Sequence, residues 1–167
     1  TINIPLLNEG RYCFSHSRYS SFFTLNLGLI APHFVIFAIK SILDVMNDIA
    51  GRKVVIFGAS YRGGVKEAAF SGVIPLVEIL NDLRAEVYVH DEFFDSHELN
   101  QMGYEVYQIG DKCDIAIFQA DHKEYLDLLP RDLPGVKLVL DGRGFLSEEK
   151  WSNVIFIKLG VAFDKEI

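Results

Sequence analysis

From Lys53 onward, short runs rich in β-branched residues alternate with segments of helical period, and few folds tolerate that alternation. The runs Lys53–Phe57 (KVVIF), Glu86–His90 (EVYVH), 114–118 (DIAIF), 137–140 (KLVL) and 154–157 (VIFI) read as strands, with a shorter one at 104–107. Residues 71–84 read as an amphipathic helix. Val73, Leu76, Val77, Leu80 and Leu83 share one face, and Glu78, Asn81 and Asp82 the other. Short helices are expected at 95–102, at 121–129 behind an Asp121 cap, and after Ser147. Strands separated by helices imply right-handed crossovers. The predicted fold is therefore α/β: a Rossmann-like, doubly wound, mostly parallel sheet with helices on both faces.

A long helix is predicted ahead of the sheet, over residues 31–50. Pro32 suits its first turn and Gly51 its stop. Lys40, Asp44, Asn47 and Asp48 form a polar stripe. The apolar remainder, from Phe34 through Phe37, Ile42 and Met46 to Ile49, is wider than one domain face usually covers. A second subunit is one way to cover it, so this segment is read as a connecting and dimerisation helix. Residues 1–30 carry no sustained period and are expected to be irregular. The division is thus 1–30, 31–50 and an α/β domain at 51–167.

Composition narrows the partners. The 167 residues are half apolar, enough for a packed core, and the formal net charge is -7. That charge argues against nucleic acid, which demands basic surface to displace counterions. It leaves room for a small phosphorylated ligand, which a local cluster of cations can hold. The longest apolar stretch, 25–39, is broken by Asn26, Pro32 and His33, so no membrane span is expected. Cys13 and Cys113 make neither a disulfide framework nor a zinc site. No metal site is expected, and no secretory pattern is visible. Reduced thiols point to a cytoplasmic location.

In such a sheet, ligands bind beyond the carboxyl ends of the strands. The loop after the first strand reads Gly58-Ala59-Ser60-Tyr61-Arg62-Gly63-Gly64-Val65-Lys66-Glu67. A dinucleotide fingerprint needs Gly at its first, third and sixth positions, and Ser60 holds the third. No Gly-Lys-Ser/Thr follows, so it is no P-loop either. Its glycines and its cations Arg62 and Lys66 suit either an anion site or a tight turn with solvated charges. Asp91 ends the second strand, where an acid either meets a ribose hydroxyl or forms a turn. His122 reads as an exposed residue behind the Asp121 cap. Asp141-Gly142-Arg143 ends the fifth strand and points Arg143 toward the same crevice. Cys13 near His16 is weak support for a Cys/His nucleophile.

The stretch Lys53-Val-Val-Ile-Phe-Gly-Ala-Ser-Tyr-Arg-Gly-Gly-Val-Lys-Glu-Ala-Ala-Phe-Ser-Gly-Val resembles the opening of the UDP-binding domain in UDP-glucose and UDP-N-acetylmannosamine 6-dehydrogenases. Glu86-Val-Tyr-Val-His-Asp91, Gln119-Ala-Asp-His-Lys-Glu-Tyr125 and Leu140-Asp-Gly-Arg143 agree in order and spacing. The resemblance spans about residues 51–160, and Gly-Gly-Val-Lys-Glu looks more like the N-acetylmannosamine type. It implies that Tyr61 and Arg62 contact a UDP-sugar, with Arg143 opposite, and that Gly63, Gly64 and Asp141 complete the substrate site. It also implies an NAD-binding Rossmann domain ahead of a dimer-building helix, and a cysteine that carries the sugar through two oxidations. Here no dinucleotide fingerprint precedes the helix, and Cys13 lacks the Gly-Gly-His-Cys context, so no catalytic residue is assigned. Lys66 and Ala69 stand where many members have Asp and Arg. The expectation is a UDP-sugar-binding C-terminal portion of an enzyme of polysaccharide precursor synthesis. NAD would serve the complete enzyme and none would bind this chain alone. The partners would be a second copy and a separate NAD-binding domain. The alternative is a non-catalytic nucleotide-sugar-binding or regulatory module derived from such an enzyme.

Overall fold

The computed structural model describes residues 6–7, 11–12 and 33–159. Within the first stretch, β1 (Leu6–Leu7) pairs antiparallel with β2 (Arg11–Tyr12). The rest of the irregular segment, including Cys13 and His16, lies outside the described residues.

Five strands build the main sheet: β3 (Lys53–Phe57), β4 (Glu86–His90), β5 (Ile115–Phe118), β6 (Leu138–Asp141) and β7 (Ile155–Lys158). All four ladders are parallel and the order is β4-β3-β5-β6-β7. The chain winds from β3 to β4, then crosses back to lay β5 on the other side of β3. The switch point therefore lies between β3 and β5, where open α/β sheets carry their ligands. The register aligns Phe57 with His90 and with Phe118, Phe118 with Asp141, and Asp141 with Lys158. The loops that follow thus leave from one edge.

The two faces are covered differently. Val54, Ile56, Ile115, Ile117, Leu138 and Leu140 point toward α1 (His33–Met46) and α2 (Val73–Asp82). Val35, Ala38, Ile42, Leu76 and Leu80 answer them from the helices, all fully buried. Each of the larger ones, Val35, Ile42, Leu76 and Leu80, contributes roughly 1.5–3 kcal/mol by leaving water. On the opposite face Val55, Phe57, Ala116, Phe118 and Val139 meet Tyr125, Leu128, Leu133 and Trp151. Phe57 and Phe118 stack at 4.6 Å, and Tyr125 presents its edge to both, at 5.3 and 5.7 Å.

The predicted doubly wound parallel fold is observed, with differences in detail. The helix expected over 31–50 stops at Met46. Asn47 takes the left-handed conformation at φ 59°, and Gly51 (φ 69°) serves the turn into β3 instead. The helices expected at 121–129 and after Ser147 are short 3-10 turns, Lys123–Asp127 and Glu148–Trp151. Leu129, which precedes Pro130, is extended as residues ahead of proline tend to be, and this ends the first turn before a further 3-10 turn, Pro130–Asp132; this face has turns where helices were predicted. The first turn is capped at His122, not Asp121. The strand expected at 104–107 is one bridge, Val106 to Val89. The helix expected at 95–102 is α3 (Ser96–Gln101), closed by a capping box between Asp95 and Glu98. No described helix is long and apolar enough to cross a membrane.

Candidate functional site

The loop after β3 is pinned by its glycines. Gly58 has φ 112°, and a Cβ there would sit 2.3 Å from the Ala120 Cβ. A Cβ on Gly63 would sit 2.0 Å from the Asp121 carbonyl oxygen. The loop after β3 therefore lies directly on the loop after β5. Hydrogen bonds fasten the contact. The Gly63 amide donates to Asp121 Oδ1 at 2.9 Å, and the Gly64 amide donates to His122 Nδ1 at 3.2 Å. The Gln119 side-chain amide donates to the Ser60 carbonyl at 3.0 Å and to Ser71 Oγ at 2.6 Å.

The turn after β6 closes on the same place. Asp141 is fully buried and accepts from the amides of Arg143, Gly144 and Leu146 at 3.1, 2.7 and 2.8 Å. Both of its oxygens serve the turn that projects Arg143. Arg143 Nε donates to the Gln119 carbonyl at 2.7 Å, and Nη2 donates to the Tyr61 carbonyl. One guanidinium thus bridges the ends of β3, β5 and β6.

Of the site residues expected from sequence, Tyr61, Arg62, Gly63, Gly64 and Arg143 come together at this edge, with Asp141 buried beneath. Arg62 is exposed, and its Nε donates to the Tyr61 hydroxyl at 2.8 Å. Lys66 is turned away toward α3. It pairs with Glu98 at 2.5 Å and lies over the Phe94 ring.

Two residues do more than their sequence context indicates. Asp91 is buried and accepts from the Ser60 amide at 3.0 Å, His122 Nε2 at 3.2 Å, Phe93 at 2.8 Å and Phe94 at 3.3 Å. Its contacts with the Phe93 and Phe94 amides are those of the turn that follows β4. His122, expected to be exposed, is fully buried between Phe93 and Tyr125. It looked like surface because it follows a charged cap. Only the strand order brings it over the β3 loop and against Asp91. Burial raises the Asp91 carboxyl, but hydrogen bonds from His122, Ser60 and Phe93 outweigh it and hold it at about 2. Burial lowers the His90 imidazole to about 4, against the opposing pull of Asp91. The Gly63 amide lowers the Asp121 carboxyl.

Residues 55–148 match the family described as UDP-glucose/GDP-mannose dehydrogenase, UDP binding domain. The chain belongs to this family. The match takes in the glycine loop, the Asp91–His122 pair and the Arg143 turn. A UDP-N-acetyl-D-mannosamine dehydrogenase of Methanocaldococcus jannaschii is 30% identical over 130 residues, covering 73% of this chain and 29% of that protein. One from Methanococcus vannielii is 28% identical, over 77% of this chain and 31% of that protein. The chain therefore spans about three tenths of the curated relatives it matches. The fold is shared with a UDP-glucose dehydrogenase of Pyrobaculum islandicum, at TM-score 0.60 and 20% identity over 75% of this chain and 29% of that one. It is also shared with a UDP-D-ManNAc dehydrogenase of Pyrococcus horikoshii, at TM-score 0.58 and 21% identity over 77% and 30%.

The family is one of dehydrogenases, but the β3 loop does not fit a dinucleotide. Ser60 stands where the second glycine of the fingerprint would be, fully buried with its amide committed to Asp91.

Proposed function

We propose that this chain is the UDP-sugar-binding portion of an NAD-dependent nucleotide-sugar 6-dehydrogenase, of the UDP-N-acetylmannosamine type. The observation that carries the reading is the Arg143 bridge. It joins the Tyr61 and Gln119 carbonyls and so draws the loops of β3, β5 and β6 into one edge at the switch point. Arg62 stands exposed beside it. A diphosphate needs paired, planar donors, and guanidinium groups supply them. The Gly63 and Gly64 amides donate to Asp121 and His122, so the glycine turn serves this reading by holding the loop that presents Tyr61 and Arg62. The two curated relatives favour N-acetylmannosamine over glucose as the sugar. The complete enzyme would take its hydride acceptor on residues other than the β3 loop, and a second copy would pack on α1. A cytoplasmic place in polysaccharide precursor synthesis fits this reading.

Calorimetric titration of the chain with UDP, UDP-N-acetylmannosamine and UDP-glucose tests it. Saturable binding of UDP and tighter binding of the N-acetylmannosamine conjugate than of UDP-glucose are expected. Absence of binding for all three removes the proposal. Equal affinity for both sugars removes the sugar assignment alone.

A further inference from the structure

His122 is a fully buried side chain, hydrogen-bonded at both ring nitrogens, that the proposed site does not use. Its Nε2 faces Asp91 Oδ2 at 3.2 Å and its Nδ1 faces the Gly64 amide at 3.2 Å. Asp91 accepts and the Gly64 N–H donates, so the two contacts together select one state of the ring. Nε2 must carry the hydrogen, and Nδ1 must be a bare lone pair. We propose that His122, held by Asp91 as the neutral Nε2–H tautomer, is a positioning residue for the Gly63–Gly64 turn, and that a proton on Nδ1 releases the turn and weakens UDP-sugar binding. This rests on the proposed function above and names how its loop is kept in place.

The chemistry is a donor–acceptor mismatch. With a proton on Nδ1, two N–H groups face one another and the Gly64 bond is lost. The contact with Asp91 survives as an ion pair, so acid acts on the loop while the ring stays anchored. Phe93 and Tyr125 pack on the fully buried ring at 4.9 and 5.4 Å. The titratable groups around it are His90, Asp91 and Glu92 from the end of β4, and Asp121, Glu124 and Tyr125 on its own segment. The β3 loop meets it with the Gly64 amide. Asp91, held at about 2, stays a carboxylate above about pH 5, and His90, lowered to about 4, stays neutral there. The Gly63 amide keeps its own acceptor, Asp121, so release is confined to one side of the turn.

The test is a titration of the full chain with UDP-N-acetylmannosamine, whose diphosphate is esterified at both ends and does not itself titrate near neutrality. It is run at about pH 8 and about pH 5.5. The expected result is roughly tenfold weaker binding once the ring carries a proton on Nδ1. The ring nitrogen shifts of His122, recorded alongside, should report the Nε2–H tautomer while the ring is neutral, and any loss of affinity should accompany the second proton. His122→Asn places an amide oxygen near the position of Nδ1 but does not titrate, so its affinity should be the same at both pH values. Exposed His97 is present in both proteins and cancels in the comparison. An Nδ1–H tautomer at high pH, or unchanged affinity once the ring is protonated, overturns the proposal. Both readouts come from the parent protein and stand even if the variant misfolds. No binding at either pH instead overturns the functional reading beneath it, and this proposal with it.

Discussion

Arg62 and Arg143 stand at the same edge but have different work. Arg143 spends donors on two backbone carbonyls, whereas Arg62, among the described residues, donates to its neighbour Tyr61 and is exposed. Arg62→Ala should therefore remove one charge-assisted contact, about 1.5–3 kcal/mol, or roughly tenfold to a hundredfold in UDP affinity. Arg143→Ala should weaken UDP binding by at least as much, because the Tyr61 backbone loses its tie as well. Lys123→Ala, on the exposed side of the turn after His122, should bind UDP like the parent in the same calorimetric series. A different residue makes the fold sensitive to acid. His90 titrates near 4 when folded and near its ordinary 6.5 when unfolded. The unfolded chain thus takes up the proton first, and stability should fall as pH drops from about 6.5 to about 4. His90→Phe should flatten that part of the curve, read as urea midpoints against pH.

At the scale of elements, α1 and the glycine loop make opposite demands. Val35, Ala38, Ile39 and Ile42 bury one side of α1, yet Phe37 remains 58% exposed and Val45 40%. Phe37→Asp should therefore leave the fold intact and abolish self-association in sedimentation, if that stripe is where a second copy packs. A parent that stays monomeric at high concentration would refute the dimer. In the loop the constraint is steric. Gly63→Ala drives a Cβ into the Asp121 backbone and should displace the loop, costing several-fold in UDP affinity. Gly64→Ala meets open space, and its left-handed φ of 73° should cost only about 1 kcal/mol in unfolding free energy. These elements were unequally legible in the sequence. β3 and β4 announce themselves as unbroken β-branched and aromatic runs, and their predicted bounds hold to the residue. The turns at 123–127 and 148–151 do not, because a short amphipathic stretch looks alike as α or 3-10 until the ring packing beneath it is known. Arg143's arrival beside Tyr61 could be anticipated from topology. The Asp91–His122–Gly64 chain could not, because it joins three loops through buried polar atoms that local context reads as surface.

At the scale of the whole molecule, the sheet has an unequal pair of covers. One is α-helical, with Leu99 of α3 joining α1 and α2 in its core, and the other is 3-10 turns packed on stacked rings. The protein has a single tryptophan, Trp151, and it lies in the second cover, 1% exposed and 6.1 Å from the Phe118 ring. Its emission therefore reports one layer alone, while ellipticity reports chiefly the other. Watching both during denaturation turns the asymmetry of the fold into an optical measurement. Coincident transitions would mean that the sheet transmits disorder from one cover to the other as a single cooperative unit. A red shift of Trp151 ahead of helix loss would mean that the ring-packed cover lifts first. That cover carries the turn that begins at His122, so the same fluorescence would time the opening of the loop edge from beneath.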